Sequence, residues 1–288
     1  MAITRQDLDS QSRQRHYYDE ACDPEFEIKR PHYCGRLYQF LIGYKIDIGL
    51  RVLELELTGR TILEVCCGSG MLAEALVRHG AQVTGIDLSA AAGSRARERA
   101  RRYGFPARFL VANAEQLPFP DRSFDVVAVH DGLHHLDDPY RAIGEMARVA
   151  RHGVLILEPA RATLTRLAVW LGVAEEVEDA GNYVDRLVPR EVAACLQQEG
   201  FPHATWRRTL MYYPHRPFAW FRWFDWTPLF WLFRAGFWGV NALLGQWGNK
   251  LAIAGLRGTH AEAYQEGPWT FNFRPREARI DAPTRSGD

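Results

Sequence analysis

Glu64 is followed, after Val65-Cys66-Cys67, by Gly68-Ser69-Gly70, at the end of an apolar run that starts at Thr61. A buried strand running into a glycine-rich turn exposes backbone N–H groups, and nucleotide-like cofactors are commonly cradled that way. Gly68-x-Gly70-x-x-Ala73, with Asp87 ending the next apolar run, fits the dinucleotide fingerprint, in which the carboxylate takes a ribose. Glu64 argues against a dinucleotide. A carboxylate at the approach to the turn repels a pyrophosphate and suits a cofactor with a cationic amino group and no phosphate. A second group of reactive side chains follows downstream: Asp131, His134 and His135 after one apolar run, and Glu158 at the end of the next. Paired histidines at the carboxyl ends of strands are placed to take a proton from a bound hydroxyl. The thiols of Cys66 and Cys67 would need a neighbouring cation to become nucleophiles, and the sequence supplies none nearby.

These residues need strands and helices to hold them. Short β-rich runs (61–66, then "AQVTGID", "ARFLVAN", "SFDVVAVH" and "GVLILEP") alternate with helical stretches at about 70–79 and over "SAAAGSRARERARRYG". Another helix opens at Asp137-Asp138-Pro139, where a carboxylate caps free N–H groups and proline needs no partner. Alternation of this kind predicts an α/β fold with a doubly wound, mostly parallel sheet. Residues 36–57 carry apolar side chains at three- and four-residue spacing and read as a helix within an N-terminal helical cover, 1–58. Residues 59–258 form the main domain, with further helices at about 161–172 and 189–200, a strand near 203–211 and a last strand "NKLAIAGLR". An aromatic cap, 214–248, sits between the last two strands. Residues 259–288 read as a loosely ordered tail.

At 288 residues and 47% apolar content the chain can bury a substantial core. Zero formal net charge argues against a protein built to neutralise nucleic-acid phosphates. Five cysteines without a CxxC pair give neither a disulfide framework nor a zinc signature, and no metal site is expected. The N-terminus lacks the apolar segment of a signal peptide, so a cytoplasmic home is expected.

S-adenosylmethionine has the properties that Glu64 asks for. The segment "TILEVCCGSG" resembles the first motif of class I S-adenosylmethionine-dependent methyltransferases, "VTGIDLS" the acidic second-strand motif, and "NAEQLPFPDRSFDVV" the third. "HDGLHHLDDP", "ARVARHGVLILEP" and "NKLAIAGLR" fall where members have comparable stretches, so the likeness runs over roughly residues 15–257. It is nearest to the broad group that includes ubiquinone and sugar O-methyltransferases. The resemblance implies a Rossmann-like fold in which Glu64 holds the methionine amino group. Cys66, Gly68, Ser69 and Gly70 would pack against the cofactor, Asp87 would bind the ribose hydroxyls and Leu88 the adenine face. Asn113 and Ala114 would meet the adenine edge, with His130 completing the pocket. His134 or His135 is then the candidate catalytic base. Tyr17, Tyr18, His32 and Tyr33 would shape the acceptor pocket. Three departures stand out: Cys66 for the first glycine, Asn113 for an aspartate, and "RHG" for a Pro-Gly-Gly turn.

The cap holds six of the nine tryptophans, yet Arg222, Asp225, Pro228 and Arg234 interrupt every run long before the ~20 residues of a membrane span. The expectation is a lid, with Trp220, Trp223 and Trp226 forming one wall of an apolar acceptor site. A dimer contact and a peripheral membrane foot are the other roles open to it. The resulting expectation is methyl transfer to a small, largely apolar acceptor, at oxygen because the histidine pair offers a base. Carbon methylation of a quinone-like ring, a non-catalytic cofactor-binding partner and a nicotinamide-dependent reductase are the alternatives.

Overall fold

The computed structural model describes residues 15–162 and 187–258. The helix expected from about 161, beyond Ala162, and the tail after 258 lie outside them. A π-helical turn, Tyr17–Ala21, leads into α1 (Pro24–Lys29) and the long α2 (Arg36–Leu53). The alternating core follows: β1 (Thr61–Val65), α3 (Met71–Arg78), β2 (Gln82–Asp87), α4 (Ala90–Tyr103), β3 (Ala107–Val111), β4 (Phe124–His130), α5 (Pro139–Val149) and β5 (Ala150–Pro159). Last come α6 (Pro189–Gln198), β6 (His203–Thr209), α7 (Thr227–Leu244) and β7 (Lys250–Leu256).

The seven strands form one sheet in the order β3-β2-β1-β4-β5-β7-β6. β1 to β5 are parallel, and β7 runs antiparallel to both β5 and β6. The strand order reverses between β1 and β4, so the first crevice for a ligand opens where those two strands end, beside Val65 and His130. An antiparallel seventh strand inserted beside β5 departs from the mostly parallel 3-2-1-4-5-6 order of dinucleotide-binding sheets.

Both sheet faces are covered. Leu63, Val65, Val127 and Val129 point to the face packed by α5 and α6, while Ile62, Val126 and Ala128 point to the face packed by α2 and α3. That alternation is the period-two signature of each strand. α2 is buried nearly all round because it lies against β5 and β7 on one side and under the cap turn Ala219–Asp225 on the other. Its Gly49 allows the close approach: a Cβ there would come within 2.4 Å of Leu157 on β5. The helix expected over 36–57 ends at Leu53, where Glu54 turns left-handed at φ 52°.

The insert between β6 and β7 holds a 3-10 turn, Ala219–Asp225, and α7. It leaves the sheet where Thr209 pairs with Lys250, and Lys250 in turn pairs with Pro159 at the carboxyl end of β5. The cap is therefore rooted on the edge of the sheet where ligands bind. Asn241 fastens α7 there, accepting from the Leu210 N–H (2.8 Å) and donating to the Leu210 carbonyl (3.1 Å).

Candidate active site

The turn after β1 is wound by three left-handed residues, Cys66 (φ 52°), Gly68 (φ 51°) and Gly70 (φ 75°). A non-glycine residue in that region is strained by its own Cβ. Cys66 fits because its neighbour across the crevice is Gly132: a Cβ at 132 would lie 2.4 Å from that of Cys66. The missing glycine of the first turn is thus matched by a glycine in the loop after β4. Carboxylates surround the Cys66 thiol and burial raises its pKa well above the ordinary value, so it is no nucleophile.

Asp87 ends β2 and ties the turn to the next helix. Its Oδ2 accepts from the Gly68 N–H and its Oδ1 from the Ser89 N–H, both at 2.9 Å. Ser89 itself caps α4 through the Ala92 N–H (2.9 Å). Asp19, on the N-terminal turn, accepts from the Ser89 hydroxyl and the Ala91 N–H, which closes that turn over the start of α4.

Glu64 lies beneath this turn, almost wholly buried. The Ala73 backbone N–H supports its carboxyl, but Oε2 has no hydrogen-bond partner. Burial, with Asp87 nearby, pushes its pKa up to about 8. An orphaned carboxyl oxygen under a backbone cradle suits a donor that brings positive charge. A cofactor amino group meets that requirement and a phosphate does not.

Glu158, at the end of β5, organises the loop after β4. Its Oε1 accepts from the N–H groups of Gly132 (2.6 Å) and Leu133 (2.8 Å), and Oε2 faces His134 Nδ1 at 2.6 Å. His134, and Lys45 beyond it, hold the Glu158 carboxyl below the usual carboxylate range despite its burial. His135 stacks against His134 with ring centroids 4.0 Å apart, and its Nε2 meets the Tyr18 hydroxyl at 3.3 Å. The two histidines therefore diverge, His134 toward β5 and His135 toward the N-terminal turn.

Beside this loop is a buried charge cluster. Lys45 of α2 pairs with Asp131 Oδ1, the Tyr213 hydroxyl donates to Oδ2 (2.9 Å), and Lys250 stands 4.0 Å from the carboxylate. Asp131 is held well below its ordinary pKa by the two lysines, while burial lowers Lys45 to about 8. The His130 side chain is buried, its Nε2 without a hydrogen bond and 3.8 Å from Asp131 Oδ2, and burial beside Lys45 lowers its pKa to about 3, leaving it neutral. Asp131, His134 and Glu158 bring ligand atoms within 4.8 Å of one another, as a metal site would. Their oxygens, however, are engaged by Lys45, Tyr213 and backbone N–H groups, so an ammonium already supplies the positive charge.

Residues 63–157 match the family model described as a methyltransferase domain. The chain is 36% identical over 144 residues to phthiotriol/phenolphthiotriol dimycocerosates methyltransferase 1 of Mycobacterium ulcerans, covering 49% of this chain and 50% of that protein. It is 33% identical over 154 residues to the ubiquinone biosynthesis O-methyltransferase of Xanthomonas euvesicatoria, covering 51% and 64%. The matches thus span about half to two thirds of these relatives' lengths. Magnesium protoporphyrin IX methyltransferase from Synechocystis, solved with bound SAH, superposes with a TM-score of 0.55 at 18% identity, covering 85% and 98%. Residues 63–157 thus resemble a methyltransferase domain, on a fold shared with this solved structure.

Within that domain the expected cofactor residues gather at one crevice. Glu64, Cys66, Gly68, Ser69, Gly70 and Asp87 line its first half, and His130 closes β4 beside it. Asn113 folds its side chain back onto the Glu115 N–H (2.9 Å), and Ala114 is buried in the core beneath the loop after β3. Leu88 is half-buried just past Asp87. Tyr18 reaches the site and Tyr17 packs edge-on against it.

Five acceptor assignments need correction. His32 is buried away from the crevice, where its Nε2 meets Glu74 at 3.0 Å and its ring stacks on Tyr103. The reason is Arg99: its fully buried guanidinium needs Glu74 and the carbonyls of Glu27, Ile28 and Arg30, which draws the N-terminal segment into that pocket. Tyr33 faces solvent beneath Lys29. Trp223 and Trp226 are 69% and 67% exposed. Trp220 is exposed too, packed against Phe218 and Phe221. A helix with apolar residues on every side can bury only one of them. Phe230, Phe233 and Phe237 took the inward stripe, against Phe40 of α2.

The residues missed from sequence are Lys45, Tyr213 and Lys250. The signal was there: the chain has only Lys29, Lys45 and Lys250 as lysines, and Lys45 interrupts the apolar helix "LIGYKIDIGL". A surface hollow of about 330 Å³ along α5, lined by Glu145, Arg148 and Glu199, lies apart from all of this.

Proposed function

We propose that the protein transfers the methyl group of S-adenosylmethionine to a hydroxyl of a small, largely apolar acceptor. The observation that carries the reading is Glu64: a buried carboxyl with an unpartnered oxygen, under a left-handed glycine-rich turn that Asp87 closes. Glu64 would take the methionine ammonium, and Asp87 the ribose hydroxyls through the lone pairs its backbone contacts leave. The cofactor supplies the electrophilic methyl, and displacement needs the acceptor oxygen in line with the departing sulfur. A hydroxyl must also lose its proton.

His134 is the better placed of the two histidines for that proton. Glu158 sits on Nδ1, which in the neutral ring fixes the proton there and leaves the lone pair on Nε2, the arrangement of carboxylate-oriented bases. His135, bonded to Tyr18, orders the N-terminal turn over the cofactor. The apolar character of the acceptor is supported by the relatives, one acting on phthiotriol and phenolphthiotriol dimycocerosates and one in ubiquinone biosynthesis, together with the aromatic cap beside the crevice.

The test is two-layered. S-adenosylhomocysteine should raise the melting temperature, and radiolabelled methyl should pass to organic-extractable hydroxylated compounds. His134→Ala should lower turnover about 10²–10⁴-fold while cofactor affinity holds. Equal turnover by His134→Ala and wild type would remove His134 as the base, and absence of any thermal shift would remove the cofactor.

A further inference from the structure

Lys250 opens β7 directly after the cap. In the sheet β5 lies between β7 and β4, and Lys250 pairs with Pro159 at the carboxyl end of β5. Its ammonium nevertheless stands 4.0 Å from Asp131, which follows β4. The side chain therefore crosses the carboxyl end of β5, on the edge where open α/β sheets bind ligands. The Tyr213 ring, with its centroid 4.6 Å from Nζ, holds the ammonium there.

What Lys250 lacks is a hydrogen bond. Asp131 Oδ1 is taken by Lys45 and Oδ2 by the Tyr213 hydroxyl, and 4.0 Å is too long for a hydrogen bond. The neighbouring carboxylates are engaged as well. Glu158 accepts from the Gly132 and Leu133 N–H groups and faces His134, while Glu27 meets His215 and balances Arg30. Among the described residues nothing accepts from the three N–H donors of Lys250. The side chain is 16% exposed, so solvent at the mouth reaches them. A second polar group beside the same carboxylate is also unspent. His130 Nε2, on a side chain 5% exposed, is 3.8 Å from Asp131 Oδ2 and makes no hydrogen bond.

A molecule presented to His134 lies beside Asp131, whose carboxylate is within 4.8 Å of a His134 ring nitrogen. Lys250 is as close to that carboxylate, so the same molecule covers both and strips the ammonium of water. Burying an ammonium without a partner is strongly unfavourable. The acceptor must therefore bring an oxygen of its own, and an ionised oxygen makes the stronger, charge-assisted bond.

We propose that Lys250 is an acceptor-binding residue, and that the acceptor carries a carboxylate beside the hydroxyl presented to His134. One charged contact then anchors an otherwise apolar body, and His130 Nε2 can donate to the same group when it carries the ring proton. The assignment rests on the methyl-transfer reading, which supplies the hydroxyl and the base.

The experiment is calorimetric titration of the full chain, with and without S-adenosylhomocysteine, using two ring compounds that share an alkyl chain. Octylsalicylate has its hydroxyl and carboxylate on adjacent carbons, and the matching octylphenol lacks only the carboxylate. Wild type should bind octylsalicylate roughly ten- to a hundredfold more tightly, as a hydrogen bond between charged groups requires. Lys250→Met should erase that preference and leave octylphenol affinity, S-adenosylhomocysteine affinity and circular dichroism as in wild type. Lys250→Arg should keep most of it. A lysine that merely supports the fold would change binding of both probes alike, and that result overturns the proposal. So does equal binding of the two probes by wild type, absence of octylsalicylate binding, or a preference that survives Lys250→Met. A preference that depends on Lys250, without any thermal shift from S-adenosylhomocysteine, would uphold the carboxylate site and sink only the methyl-transfer reading.

Discussion

Replacing Glu64 by glutamine should make the ligand-free protein more stable and the cofactor complex weaker, and both effects can be sized from the structure. The buried carboxyl titrates near 8 in the fold against an ordinary 4.5. An acid whose folded pKa is raised contributes stability that is complete below 4.5 and is lost as pH rises toward 8, because the fold keeps a proton the unfolded chain has released. Each unit of that window is worth about 1.4 kcal/mol, so by pH 7 the loss is on the order of 3 kcal/mol, reduced by any water entering the cleft. A glutamine keeps the contact to the Ala73 N–H and has no proton to lose. At roughly 2–4 °C per kcal/mol for a chain of this size, the variant's Tm should exceed wild type by several degrees at pH 8 and converge with it near pH 5.

Cofactor binding should respond in the opposite sense. The ammonium pairs with ionised Glu64, so binding at pH 7 must expel the carboxyl proton. Wild-type affinity for S-adenosylhomocysteine should therefore rise from pH 6 to 8 by up to about tenfold per unit. Calorimetry in two buffers of different ionisation enthalpy should show that proton leaving. Glu64→Gln should bind roughly ten- to a hundredfold more weakly, the worth of a hydrogen bond between charged groups, and without proton release. Unchanged affinity in the variant, with no proton released by wild type, would refute the assignment of Glu64 to the amino group.

Asp87→Ala should weaken cofactor binding by about 1–3 kcal/mol by calorimetry and also loosen the turn it closes at Gly68. Cys66→Gly should relieve a left-handed strain of about 1–2 kcal/mol, offset by about 0.5–1 kcal/mol of extra chain entropy, for a small net rise in urea midpoint. Lys45→Met should leave Asp131 under-compensated and cost about 3 kcal/mol, softened by Lys250. Adding Asp131→Asn should recover more than half of that in a double-mutant cycle; strictly additive losses would mean the two residues do not act as a pair.

The strands and their order of appearance were legible because the central parallel strands β1, β4 and β5 are bounded by turn chemistry and carry buried runs too short for a helix. "TILEV", "VVAV" and "VLILEP" admit little else. Motif spacing brought Glu64, the turn and Asp87 together for the same reason: they lie on adjacent strand ends, so proximity in sequence becomes proximity in space. The charge cluster beside it is assembled from α2, the loop after β4 and the root of the cap, whose partners are 86 residues apart for Lys45 and Asp131 and 82 for Asp131 and Tyr213. No local pattern encodes such a meeting. His32 shows the converse error, a polar residue near the right segment that was drawn off to satisfy Arg99 and Glu74.

The exposure of the cap's outer rings has a reason of geometry. Composition says that many rings must be covered, and a lid over a ligand covers them, but a helix of 18 residues has a single inward stripe. Three phenylalanines at i, i+3 and i+7 filled it, and the tryptophans and leucines between them were left outside. Their sequence positions already fixed that division, since residues one and two apart on a helix never share a face. Leu232→Glu/Leu243→Glu should therefore leave the circular dichroism spectrum and the S-adenosylhomocysteine thermal shift as in wild type, because both side chains point out of the fold, and a melting temperature lowered by several degrees would refute that placement.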